Sequence, residues 1–190
     1  MLILLLAACA TRGTAPEWGS LQSSVEALYL NYWDLKRLHS DLHNVALVHL
    51  EASGPQLAEI QSAARFIHQA NLIAFYQWEL LSITAYIRDS ARYDFFTLRE
   101  RSLSDARDKS NDLILSTRVY DAFIHDTQAA ELIDACIVRI EKHRALYLQM
   151  IEELGRLKQK LRPTTASADK SLTPPSLSYK SGNSKGFSDS

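Results

Sequence analysis

The stretch QLAEIQSAARFIHQANLIAFYQWELLSITAYIRDSA, residues 56–91, decides the fold. It contains neither glycine nor proline, and that run continues to Leu154. A sheet protein needs frequent turn residues and does not tolerate so long a gap between them. Long helices do, because each interior Gly costs them ~1 kcal/mol and each Pro ~3 kcal/mol. Within the stretch, Leu57, Ile60, Ala64, Ile67, Asn71, Ala74, Trp78, Leu81 and Ala85 recur in steps of three and four, the period of one helix face. A second line through Phe66, Ala70, Ile73, Leu80 and Ile87 widens the apolar arc. This helix is expected to run from Pro55 to Ala91 and to touch more than one neighbour. Asn71, Gln77 and Glu79 interrupt its greasiest part, which favours a buried bundle helix over a membrane span.

On the N-terminal side, Leu21, Val25, Leu28, Tyr32, Leu35, His39, Leu42, Ala46 and His49 keep the same period, so a first helix is expected over 21–52. Ser53-Gly54-Pro55-Gln56 breaks it, with Ser53 and Gln56 spaced as a capping box and Pro55 suited to a first helical turn. On the C-terminal side, the next reversal is placed at Arg92-Tyr93-Asp94, with Thr97 and Glu100 as a second capping box. The polar run 99–112 implies an exposed start to the third helix, which continues through Leu103, Ala106, Leu113, Thr117, Tyr120 and Ile124. His125-Asp126-Thr127 is the third turn, with Asp126 or Thr127 capping a fourth helix that follows Ile133, Ile137, Ile140, Tyr147, Ile151 and Leu154 to Pro163. Four helices of this length joined by short turns predict an all-α fold, a long antiparallel up-down-up-down four-helix bundle over 19–162. Each helix would span ~45–54 Å. Residues 163–190 are Ser-rich, carry Pro174-Pro175 and few apolar side chains, and are expected to be a disordered C-terminal tail.

The chain has 190 residues with a net charge of −1. Residues 17–161 hold 16 basic against 20 acidic side chains and 162–190 hold 4 against 2, a mildly acidic body and a mildly basic tail. Neither bias calls for nucleic acid as a partner.

The N-terminus carries the one motif with a known address. Leu2 to Leu6 form an apolar run that ends at Leu6-Ala7-Ala8-Cys9. That tetrapeptide resembles the lipobox of bacterial lipoproteins. The resemblance covers four residues, the apolar run before them and a polar linker after them. It implies a signal peptide over 1–8, cleavage before Cys9, diacylglycerol on the Cys9 sulfur and a tether over 9–18. Ala10, where Asp would retain such a protein at the inner membrane, leans toward the outer membrane of the cell envelope. No Lys or Arg precedes Cys9, so the signal peptide is expected to be incomplete in this sequence. Acyl chains contribute ~0.8 kcal/mol per buried CH₂, and two or more hold a protein stably at a membrane. With Cys9 lipidated, Cys136 has no disulfide partner in the chain. Its neighbours Ile133, Ile137 and Ile140 mark it as a small buried hydrophobe.

Folding the helices at the three turns places His39, His43, His68 and His143 near one level. His39 and His43 are i,i+4 neighbours, a workable metal-ligand spacing. The alternative is that these are separate imidazoles on helix faces. Neither the Glu-x-x-His pairs of di-iron bundles nor the C-x-x-C-H of covalent haem occurs, and no cofactor is expected. Trp33 and Trp78 also come out level, with Tyr29, Tyr32, Phe75 and Tyr76 around them, as core packing or as a box for a flat ligand. Glu79 is expected to be buried and paired with Arg107 or Arg37. No G-x-S-x-G, phosphate loop or H-E-x-x-H is present, and the chain is not expected to be an enzyme. The expected role is that of a lipid-anchored envelope protein working by contact with another envelope protein as adaptor, assembly factor or spacer. Self-association along an apolar face is a further expectation, and a metal- or ligand-binding bundle is the alternative.

Overall fold

The structure is a computed structural model, and it describes residues 19–51, 56–87 and 89–161, the side chains of 85, 86, 89 and 90 excepted. Cys9, the expected signal peptide and tether, and residues 162–190, the expected tail, lie outside the described residues. Four helices run in order: α1 Gly19–Glu51, α2 Leu57–Ser82, α3 Asp89–Asp121 and α4 Thr127–Leu161. No strand occurs among the described residues. Around the bundle, α1 packs on α2, α2 on α3, α3 on α4 and α4 on α1, while α2 and α4 meet more weakly across the diagonal. This is the expected up-down-up-down four-helix bundle. No helix among the described residues is long and apolar enough to cross a membrane.

The seams read from the sequence are the ones that close the core. Leu21, Leu28, Leu35 and Leu42, seven residues apart, are all at most 3% exposed. Ile60, Ile67 and Ala74 answer them from α2, Leu103 and Leu113 from α3, and Ile133, Ile140, Tyr147 and Leu154 from α4. Burying a Leu or Ile of this kind contributes roughly 1.5–3 kcal/mol each.

The turns between α1 and α2 and between α3 and α4 share one end, the tip. Gln56 ties them together. Its Oε1 accepts the backbone N–H of His125 and of Asp126, both at 2.9 Å. Asp126 Oδ1 accepts the Ala129 N–H at 2.7 Å and caps α4 as expected. Ser53 lies outside the described residues, and Gln56 makes no side-chain cap on α2. Among the described residues, the Gln56 side chain acts as a bridge between two turns.

The opposite end, the base, differs from the expectation. α2 stops at Ser82 and passes through a 3₁₀ turn, Ile83–Tyr86, to an extended Ile87 (φ −76°, ψ 130°). The reversal therefore falls between Ser82 and Asp89 and not at Arg92-Tyr93-Asp94. Ser82 Oγ donates to the Glu79 carbonyl at 2.7 Å and Thr84 Oγ1 to the Leu81 carbonyl. Such hydroxyls compete for carbonyls that the helix would use, and Ile83, Thr84 and Ile87 are β-branched residues with weak helix preference. Thr97 does not cap α3 either. It sits inside that helix, where its Oγ1 donates to the Tyr93 carbonyl at 3.0 Å.

Candidate functional site

Of the four histidines placed at one level, the structure brings two together. His39 of α1 and His68 of α2 stack with ring centroids 5.4 Å apart at 27°. Burial and then the neighbouring His68 hold His39 below the ordinary imidazole range, with His43 adding to the effect. His43 and His68 are exposed. His143 does not join them. It is 0% exposed and stacks on Tyr147, centroids 6.3 Å apart at 25°. Among the described residues, no group of three or more His, Cys, Asp or Glu is arranged to hold a metal ion. The supposed level fails on height as well as direction: His143 lies beside Asn31, eight residues and so ~12 Å along α1 from His39, and it points into the core while His43 and His68 face out.

His143 belongs instead to a polar waist at mid-height. The apolar core forms two clusters, one toward the tip and one toward the base. Each helix places a buried polar residue between them. Asn31 lies between Leu28 and Leu35, Asn71 between Ala70 and Ala74, Ser110 between Ala106 and Leu113, and His143 between Ile140 and Leu146. Asn31 Nδ2 donates to the Arg139 carbonyl at 2.8 Å, and Ser110 Oγ to the Ala106 carbonyl at 2.7 Å. The Asn31 and Asn71 Oδ1 atoms and both ring nitrogens of His143 have no hydrogen-bond partner. His143 lies close to the Asn31 carbonyl, but the geometry of a hydrogen bond is not met. Burial, reinforced by Lys142, pushes the His143 imidazole down to about 3, so it is neutral at physiological pH. The Tyr147 hydroxyl, equally buried and unpartnered, is raised by burial and stays protonated.

Glu79 corrects a second expectation. It is exposed, and Arg107 pairs with its own neighbour Asp108 at 2.7 Å. The buried carboxylate is Glu153, 4% exposed, whose Oε1 accepts from Ser24 Oγ of α1 and from Gln149 Nε2, each at 3.2 Å. Its signal was present in the sequence: Glu153 follows Met150 by three residues and precedes Leu157 by four, both on the apolar face of α4. Cys136 is buried as expected, and burial together with Asp41 raises its thiol to about 12, which leaves it unreactive.

The aromatic residues do assemble, on the outer side of the α1–α2 seam. Tyr29 lies 4.5 Å from Trp78 and 6.1 Å from Trp33, and Tyr32 lies 5.5 Å from Phe75, centroid to centroid. Trp33 and Tyr76 are exposed, and Lys36 Nζ sits 4.5 Å over the Trp33 ring. The set is therefore a surface strip and not an enclosed box.

An apolar patch lies at the tip end of α3. Leu115 and Val119 on the helix and Phe123 in the turn after it are 58%, 59% and 62% exposed. An open groove of about 550 Å³ lies between α1 and α4 at the same end, with Asp41, His49, Asp126 and Glu131 in its wall. There His49 Nε2 lies 3.1 Å from Asp126 Oδ2. The Ala129 N–H, and then His49, hold the Asp126 carboxyl below its ordinary range. Comparison of this chain with protein-family models, with curated proteins and with solved structures gives no match.

Proposed function

We propose that this protein is a lipid-anchored component of a bacterial cell envelope that works by protein–protein contact and not by catalysis. Cys9 carries the anchor, and the outer membrane is the favoured location. The observation that supports the contact role is the α3 patch. Leu115 and Val119, one turn apart on α3, and Phe123 in the turn just beyond its end form an apolar surface of the kind that a partner helix covers with its own i, i+4 anchors. A bundle that has filled its core with Leu and Ile has no folding use for Leu115, Val119 and Phe123 outside it.

The test has two readouts on the full-length protein expressed in bacteria. Metabolic labelling with a fatty acid should label the wild type and fail on Cys9→Ser. A photo-crosslinking residue at Val119 should give one discrete adduct, lost with Leu115→Asp, while the same residue at exposed Lys109 gives none. Absence of the acyl label contradicts the anchor, and absence of an adduct contradicts the contact face.

A second reading, binding of a metal ion through His39 and His68, has their 5.4 Å pairing in its favour. Metal analysis of the purified protein decides it. A stoichiometric ion lost with His68→Ala supports this reading, and metal-free protein that takes up no zinc or copper excludes it.

A further inference from the structure

The aromatic strip across α1 and α2 is larger than helix packing requires. Six rings, those of Tyr29, Tyr32, Trp33, Phe75, Tyr76 and Trp78, form one connected set, with successive centroids 4.5–6.5 Å apart. Phe75 and Trp78 face α1, whereas Trp33 is 47% and Tyr76 54% exposed. Leu30, three residues before Trp33, and Leu72, four before Tyr76, extend the strip and are exposed as well. Rigid rings set side by side along a shallow seam are the surface on which extended proline-rich segments dock. Proline rings fit between aromatic rings, and the polyproline form has little entropy left to lose.

Such a segment occurs in this chain. Residues 171–180 read SLTPPSLSYK. Pro174 and Pro175 fix their own φ near −65°, and each biases the residue before it toward the extended region. We propose that the aromatic strip of α1 and α2 is the docking surface for this proline-rich segment of the same chain.

Three observations favour that occupant. Leu161 ends α4 at the base, where the last turns of α4 lie beside the first turns of α1, as the Ser24–Glu153 hydrogen bond shows. The strip begins at Tyr29, ten residues into α1 and so ~15 Å from that end. Pro174 lies thirteen steps along the chain from Leu161, a span of ~40 Å in the polyproline form, enough to reach it.

The test places a nitroxide at Ser181→Cys in the full chain with Cys9→Ser, Cys136 being buried. The indole N–H signals of Trp33 and Trp78 are then read by NMR. The expected result is loss of both signals, independent of protein concentration, while the amide of Val138 on α4 is unaffected. Pro174→Ser with Pro175→Ser should restore them, because both prolines lie outside the bundle and their loss leaves its fold intact. Signals that survive in every sample overturn the proposal. So does loss of the signals of isotope-labelled chains that carry no nitroxide when spin-labelled, isotope-silent chains are added, which would assign the strip to the tail of a second copy. Loss that persists in the double proline variant also overturns it, since the prolines would then not be what docks.

Discussion

The two ends of the bundle are closed by different chemistry. At the tip, Gln56 accepts two backbone N–H groups from the neighbouring turn, Asp126 caps α4, and His49 holds Asp126 from α1. At the base, the chain turns without glycine or proline, through a 3₁₀ turn whose hydroxyls bond carbonyls three residues back. Apolar packing of Phe96, Leu103 and Leu154, the buried Ser24–Glu153 contact, the Arg92 Nε–H donated to the Ile87 carbonyl and the Lys158–Glu100 ion pair do the rest. The tip is therefore held by a few directional bonds that single substitutions can remove. The base is held by contacts spread over many side chains. Between them lies the waist, where unpartnered polar atoms are stored in the core.

The largest effect is expected at the waist, and it sets the scale for both ends. His143 is neutral in the fold, with its imidazole pushed down to about 3, against the ordinary 6.5 in the unfolded chain. The stability that goes with the neutral ring is complete above pH 6.5 and is lost as pH falls toward 3. At about 1.4 kcal/mol per pH unit, that amounts to about 3 kcal/mol between pH 6.5 and pH 4. His39, lowered in the same direction, adds a smaller part. Denaturant titrations at pH 7 and pH 4 measure the loss. His143→Leu should flatten it, and an unchanged acid sensitivity in that variant would mean the waist is not its source.

A smaller effect separates the ends. Gln56→Ala removes an acceptor from two N–H groups and should cost about 1–2 kcal/mol. At the base, Thr84→Val keeps the shape and removes one hydroxyl, and should cost under about 1 kcal/mol. Equal losses would erase the distinction between a bonded tip and a packed base. The smallest effect is expected at Thr97. As a helix cap it would contribute ~1 kcal/mol, but inside α3 and exposed its change to Ala should fall within about 0.5 kcal/mol of zero.

The same contrast explains what the sequence could disclose. Asp126 was readable as a cap because a short acceptor side chain in that position has one common use, and the structure supplies the bond. Leu21, Leu28, Leu35 and Leu42 were readable because a seven-residue repeat has few other meanings in a chain so poor in glycine. The base turn was not readable. Its residues 82–87, Ser-Ile-Thr-Ala-Tyr-Ile, continue a helical pattern, and only their combined weak helix preference ends it. For the candidate sites, residue counting from the turns gave height only across the α1–α2 pair, missed it by about two helical turns for His143, and gave no direction. Height alone brought His39 to His68 and Tyr29 to Trp78, where both helices were already in contact. It could not tell that His143 turns inward beside Tyr147, that Asn31 and not Tyr32 is the buried member of its pair, or that Glu79 faces water while Glu153 does not.

All of these assignments depend on the chain doubling back between α2 and α3. The direct measurement is the distance between spin labels at Arg65 on α2 and Val119 on α3, both exposed and both near the tip. The Phe66–Tyr120 ring contact at 5.8 Å places these helices side by side there. The account predicts a single distance population within about 25 Å, set by neighbouring helix axes 8–10 Å apart and the two label arms. A population near ~80 Å, the length of 54 residues of unbroken helix, would contradict it.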